Sequence, residues 1–190
     1  MKTLREVLQD AENRRVAVGH FNFSELTVLK AVGEAARELD TAVVVGVSES
    51  EREFVGVRQA VALVKAMRDE GLRIFLNADH THSLEKAEEA AEAGFDMVVF
   101  DASEKPIEED IALTRRAVDA IKSINGAILV EGEVGYIGSG SELHDKRPEN
   151  IYMTEPANAR SLVAETRVDL LSPSDGRRRC CQLRRIRSAP

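Results

Sequence analysis

The stretch "RIFLNADHTHS", residues 73–83, decides how the rest of the chain reads. Ile74, Phe75 and Leu76 open it as a short apolar run of the length and composition of a buried strand. Packing alone asks for neither a carboxylate nor two imidazoles at the end of such a strand, yet Asp79, His80 and His82 stand there. Ser83 then opens the helical pattern "SLEKAEEAAEAG", which stops at Gly94, a residue suited to a helix C-cap. A strand that ends on chemically capable residues and runs straight into a helix is a βα unit.

The unit recurs along the chain. Five more β-branched or apolar runs, each closed by polar residues, are "VAVGHFNF" (16–23), "AVVVGVSES" (42–50), "MVVFDAS" (97–103), "AILVEGEVG" (127–135) and "VDLLSPS" (168–174). Most are continuous rather than alternating, as in parallel strands covered on both faces. Between them lie helical patterns. Residues 24–40 place Val28, Leu29, Val32, Ala35, Ala36 and Leu39 on one stripe with Ser24 as N-cap, residues 51–71 form another helix ending on glycine, and residues 108–126 carry acids in the first turn and Asn125-Gly126 at the end.

Parallel sheets of this kind are either open and doubly wound or closed into a (β/α)8 barrel. His20, Asn22, Ser48, Asp79, His80, Asp101, Glu131 and Glu133 all fall at or near the C-terminal ends of successive strands. In a barrel those ends share one face, so residues scattered along the chain converge on one site. An open sheet would gather its ligand contacts at a single switch point, and no glycine-rich dinucleotide fingerprint opens a helix here. The expected fold is a TIM (β/α)8 barrel. Eight units take about 250 residues, and six are visible, so the barrel is expected to be truncated to about six βα units.

Composition narrows the class. No apolar run approaches the roughly 20 residues needed to cross a bilayer, and "MKTLREVLQD" carries charges where a secretory leader needs an apolar segment. The two cysteines, Cys180 and Cys181, are adjacent and form no disulfide framework. A cytoplasmic protein with no membrane partner is expected. The formal net charge of −7 hides an asymmetry: residues 177–190 hold six arginines and no acid, so subtracting those six charges leaves −13 on residues 1–176. The chain is expected to divide into a partial barrel, 1–176, and an arginine-rich tail, 177–190. The tail reads as a solvated basic segment, an alternative terminus, or a stretch translated out of frame after about Asp175. The abrupt loss of periodic pattern favours the last. The acidic body argues against a nucleic-acid partner.

Each candidate residue has a plain structural reading beside the chemical one. Asp79 and Thr81 serve equally as strand terminators, and Asp101 as a turn residue. In a regular strand the neighbours Asp79 and His80 point to opposite faces, so both reach one site only if the strand ends there. An imidazole is a common metal ligand and an adjacent carboxylate suits proton transfer. Glu131 and Glu133 alternate in register and point the same way, which calls for a cation or basic group to offset their repulsion. The following "GYIGSGSE" reads either as a surface loop or as one that closes over a substrate. His20 reads as a satisfied core residue, and His144 as a solvent-facing one.

"AVGHFNF", "NADHTHS", "VVFDAS", "ILVEGEVGYIG" and "TRVDLLSPS", in this order and spacing over roughly residues 1–175, resemble the class II, zinc-dependent ketose-bisphosphate aldolases. The resemblance implies cleavage of a ketose 1,6-bisphosphate, fructose or tagatose, to glycerone phosphate and glyceraldehyde 3-phosphate through an enediolate stabilised by Zn2+. It makes Asp79 the acid/base and His80 a zinc ligand. It places Asp101 and Glu133 as acidic residues at the metal site, and Asn22 and Ser48 near the ketose-phosphate moiety. Glu142, on the loop after Glu133, would assist proton transfer at carbon, and His82 matches no ligand position. A homodimer or homotetramer is expected of the intact family.

The C-terminal part departs from that pattern. Family members follow the sixth strand with a Gly-Asn-x-His-Gly segment carrying the second zinc histidine. The third histidine and a Gly-Gly-Ser phosphate site come with the seventh strand, and an Asn-x-x-Thr-Asp segment with the eighth. Here no histidine follows His144. The resemblance therefore supplies one of three zinc histidines, and these residues alone are not expected to turn over substrate. The alternative function is a non-catalytic truncated barrel that binds a sugar phosphate or a partner chain.

Overall fold

The computed structural model describes residues 2–135 and 153–174, together with the backbone of 184–185. Glu142, its loop and almost all of the arginine-rich tail lie outside these residues. In chain order the elements are α1 (Leu4–Arg14), β1 (Gly19–Asn22), α2 (Leu26–Glu38), β2 (Val43–Val47), α3 (Glu49–Val55), α4 (Val57–Asp69) and β3 (Ile74–Thr81). They continue with α5 (Leu84–Ala93), β4 (Met97–Phe100), α6 (Ile107–Ile124), β5 (Leu129–Val134), α7 (Pro156–Thr166), β6 (Leu170–Pro173) and β7 (Arg184–Arg185). All six apolar runs are strands. Among the described residues no helix is long and apolar enough to cross a membrane.

Strand order settles the architecture. β1 to β6 are parallel and lie side by side in sequence order with no reversal. A doubly wound sheet must reverse at its switch point, so this is the singly wound order of a (β/α)8 barrel, curled through six of its strands. β7 adds antiparallel to β6, pairing Arg184 with Leu171 and Arg185 with Leu170.

The two faces of the sheet have different partners. Outward residues of the strands, among them Val43, Val45, Ile74, Leu76, Val98 and Val130, pack under the helices with Leu29, Ala60, Val64, Ala87, Ala117 and Leu162. Inward residues Val44, Phe75, Met97, Val99, Leu129 and Leu170 form a second apolar cluster, which Leu4 and Val7 of α1 cover from the N-terminal end of the strands. α1 owes its start to Thr3, whose hydroxyl and backbone exchange hydrogen bonds with Glu6 in a capping box.

Acidic residues at strand entries tie neighbouring units together. Asp96, just before β4, accepts from the Leu76 N–H of β3 at 2.7 Å and from the Arg68 guanidinium of α4. Asp169, just before β6, accepts from the Val130 N–H of β5 at 2.9 Å, from Lys122 of α6 at 2.6 Å and from Arg5 of α1 at 2.6 Å.

Three local expectations need correction. The helix expected over 51–71 is two helices, because Gly56 at φ 90 breaks it. The cap of α2 is Glu25 rather than Ser24, with no side-chain hydrogen bond. Its buried face is Leu29, Gly33 and Ala36, with Val28 and Leu39 exposed, because small residues let the helix lie close to its neighbours. Helices α1 and α7 lie outside the expected pattern.

One acid of α6 does not face water. Asp110 is buried and accepts from the Thr114 hydroxyl at 2.9 Å. Burial pushes its carboxyl up from 3.8 to about 6, with repulsion from Asp101 adding to the shift and the Thr114 bond opposing it. A raised carboxyl favours folding below its unfolded value, and that contribution is lost as pH climbs through about 6. Asp110→Asn keeps the hydrogen bond without the charge. It is expected to exceed the native chain in stability by about 2 kcal/mol at pH 7.5. The gap should shrink steadily toward pH 4.5, as measured by urea unfolding across that range.

Candidate active site

Alternation along each strand aims Asn22, Asp79, Asp101 and Glu133 at the inner face near the C-terminal edge, above the apolar cluster. Gly46, the β2 residue paired with Asn22, makes room for this: a Cβ there would crowd His20 Nε2 and lie 2.5 Å from Asn22 Oδ1. His20 is half-buried against the Asn77 amide at 3.4 Å, and burial lowers its pKa below the usual histidine value.

Asp79 and His80 both reach the site, though not because the strand ends. β3 continues to Thr81, and its register with β4 shifts between Ala78 and Thr81. His80 sits at φ 40 inside this bulge. A left-handed residue without glycine's freedom costs on the order of 1–3 kcal/mol, and the return is that two consecutive side chains face one way. Asp79 Oδ2 accepts from Asn22 Nδ2 at 2.8 Å. His80 Nδ1 meets Asp101 Oδ2 at 3.1 Å and lies 3.6 Å from Glu133 Oε2.

His80, Asp101 and Glu133 form a buried group whose ligand-type atoms all lie within 4.8 Å of one another. Asp101 also accepts from the Ser103 N–H at 3.0 Å and its hydroxyl at 2.6 Å. Burial alone would raise the Asp101 carboxyl, but the bonds from His80 and Ser103 hold it well below the usual range. Glu133 goes the other way, raised well above an ordinary glutamate first by burial and then by the adjacent Asp101 charge, with Glu131 and Asp79 adding repulsion. Its Oε2 has no hydrogen-bond partner among the described residues. Below it, Glu131 accepts from the Ser172 hydroxyl of β6.

Two sequence candidates have other engagements. Ser48 caps α3, its hydroxyl accepting from the Glu51 N–H at 3.5 Å while Glu51 accepts from the Ser48 N–H at 2.6 Å. His82, its ring stacked 6.4 Å from that of His80, is half-exposed and contacts the Asp101 carbonyl through Nδ1 at 3.2 Å. Glu142 falls outside the described residues. Sequence reasoning misses Glu51, whose Oε2 accepts from Asn22 Nδ2 at 3.2 Å, and the buried Arg52. The Ser48-to-Glu51 spacing of a capping box is the signal that would locate the first. Nothing in the sequence marks Arg52 as buried.

The family model described as fructose-bisphosphate aldolase class-II matches residues 2–178. The chain is 33% identical over 178 residues to a Bacillus subtilis protein named "Probable fructose-bisphosphate aldolase" and 32% identical to the fructose-bisphosphate aldolase of Staphylococcus aureus. Each alignment covers 92% of this chain and 61% of the relative, so the chain spans about three-fifths of the curated relatives it matches. Its fold resembles the YdjI aldolase of Escherichia coli K12, with a TM-score of 0.78 and 26% identity over 93% of this chain and 63% of that one. A fructose-bisphosphate aldolase from Campylobacter jejuni shares the fold at a TM-score of 0.72 and 18% identity, over 91% of this chain and 57% of that one. The chain belongs to the class II fructose-bisphosphate aldolase family.

The cap at Ser48 has a measurable worth. Ser48→Ala is expected to lower stability by about 1 kcal/mol and Ser48→Asp to retain most of it, as read by urea unfolding.

Proposed function

We propose that these residues carry the Asp79–His80 part of an aldehyde-lyase site that cleaves a ketose 1,6-bisphosphate, fructose or tagatose, to glycerone phosphate and glyceraldehyde 3-phosphate. The observation that supports it most is the buried group of His80, Asp101 and Glu133 with an unpartnered Glu133 oxygen. One imidazole nitrogen and two carboxylate oxygens at this spacing fit a divalent cation, and zinc accepts such a donor set. Burial and the neighbouring acids favour the protonated form of Glu133, and a cation among the three residues would take the place of that proton. When bound, zinc supplies Lewis-acid polarisation of the substrate's ketone and hydroxyl oxygens.

The remaining work falls to the chain's own groups. Asp79, held by Asn22, is the acid/base that moves the hydroxyl proton of the departing aldehyde. Ser103 fixes Asp101, and Asp101 orients the His80 ring through Nδ1. Asn22 and Ser48, at the ends of the first two strands, border the place proposed for the ketose-phosphate moiety. Glu142 is proposed to assist proton transfer at carbon. The resemblance assigns two further zinc histidines to family segments that have no counterpart after His144, so residues 1–176 are proposed to act as a partial barrel with little or no turnover by themselves. A cytoplasmic setting and a dimer or tetramer belong to the same proposal.

Cobalt(II), a spectroscopic stand-in for zinc, tests the reading. The chain is expected to bind one equivalent, with His80→Ala and Glu133→Gln each weakening binding at least tenfold. No saturable cobalt spectrum at millimolar metal would overturn the metal site. In a full-length version that carries the remaining barrel segments, Asp79→Ala is expected to lower kcat for cleavage of fructose 1,6-bisphosphate by about 10²–10⁴. Undiminished cleavage would remove Asp79 from its role.

A further inference from the structure

Beside the bulge that delivers Asp79 and His80, β2 has already ended at Val47, opposite Ala78, so its ladder has no further donor for β3. Arg52, on the first turns of α3, is 2% exposed and reaches directly into this region. Its Nη1 donates to the Asp79 carbonyl at 3.1 Å and to the Val47 carbonyl at the end of β2 at 2.7 Å, while Nη2 donates to Thr81 Oγ1 at 3.0 Å. These partners flank His80 on both sides. The nearest carboxylate on the guanidinium is Glu49, at 4.0 Å. Burying a cation is expensive unless its hydrogens are satisfied, and here neutral oxygens beside the bulge satisfy most of them.

The first turns of α3 grip the same segment at two more points. Glu49 Oε1 accepts from the His82 N–H at 2.8 Å. Glu51 accepts from Asn22, which in turn holds the Asp79 carboxylate. On the far side of the bulge, the Asp101 N–H donates to the Thr81 carbonyl at 2.9 Å. The capping box at Ser48 fixes where α3 begins, and with it where Arg52 stands.

We propose that Arg52 is a positioning residue for the Asp79–His80 pair: its guanidinium replaces the missing ladder donor and holds His80 in its left-handed conformation, so that the imidazole meets Asp101 and Glu133. Arg52 touches neither substrate nor metal in this scheme. Its functional meaning rests on the metal reading above, whereas its grip on the bulge does not.

The test compares the 190-residue chain with Arg52→Gln and Arg52→Lys. Amide hydrogen exchange by NMR is the metal-free readout. In Arg52→Gln, exchange at Asp101 and His82 is expected to rise at least tenfold, while the remote amides of Val43 and Asp169, bonded to Arg73 and Val130 carbonyls, stay within twofold. An equal rise at all four amides, or none, would overturn the proposal. Cobalt(II) titration is the second readout. Arg52→Gln should raise Kd at least tenfold at unchanged stoichiometry, with part of the affinity returning in Arg52→Lys. A merely structural role would instead lower the binding fraction at constant Kd, and that result also counts against the proposal. If the native chain binds no cobalt, the metal reading fails and the exchange pattern alone decides on Arg52. If Arg52→Gln does not fold, Arg52→Lys, which keeps the charge but not the forked donors, carries the test: a local rise in exchange at Asp101 and His82 supports the proposal, and an equal rise at all four amides, or none, overturns it.

Discussion

The bulge at Asp79–His80 is the constraint on which the rest of the site depends. A parallel strand offers one inward side chain every second residue, and the proposed metal-assisted proton chemistry needs a carboxylate and an imidazole together. The chain resolves this by breaking the β3–β4 register and placing His80 at φ 40. Asp79 then faces Asn22 of β1, and His80 faces Asp101 and Glu133. Without the bulge, one of the pair would be buried among the outward residues under the helices.

A second constraint is electrostatic. Asp79, Asp101, Glu131 and Glu133 crowd the inner face, all at most 5% exposed. Their repulsion is offset piecemeal: an amide for Asp79, a histidine and a serine for Asp101, a serine hydroxyl for Glu131. Glu133 is left with its raised carboxyl and an unpartnered oxygen. Such an arrangement does little for stability, and it is where the proposed cation would sit. The apolar cluster beneath it, closed by Leu4 and Val7 of α1, supplies the stability that the polar rim does not.

The contrast between what the sequence reveals and what it conceals follows from range. Strands are legible because parallel strands covered on both faces become unbroken apolar runs. Ser83 and Gly94 are legible because caps are local, and Asp79, His80, Asp101 and Glu133 because polar residues at the ends of such runs are conspicuous. Gly56 is harder: a glycine inside a helical pattern does not announce a φ of 90. Val28 and Leu39 fall on the apolar stripe of α2 yet are exposed, since burial there is decided by how closely Gly33 and Ala36 approach their neighbours. Arg52 is hidden altogether. A guanidinium's natural place is the surface, and the Val47 and Asp79 carbonyls and the Thr81 hydroxyl that draw it inward come together only once β2 and β3 have paired.

The height at which these groups meet is set at the opposite end of the sheet. A one-residue slip between parallel strands would send Asp101 or Glu133 to the outer face. Asp96 binds the Leu76 amide of β3 as β4 begins, and Asp169 binds the Val130 amide of β5 as β6 begins. Each carboxylate is further held by a cation from the helix that leads into the neighbouring strand, Arg68 of α4 before β3 or Lys122 of α6 before β5. The first lock fixes β4 against β3, so Asp101, five residues beyond Asp96, arrives opposite His80. The second fixes β6 against β5, so Ser172, three residues beyond Asp169, meets Glu131. Hydrogen bonds at the N-terminal ends of the strands thus determine which side chains face one another at the C-terminal ends, and the chemistry at the top of the barrel depends on register fixed at its base.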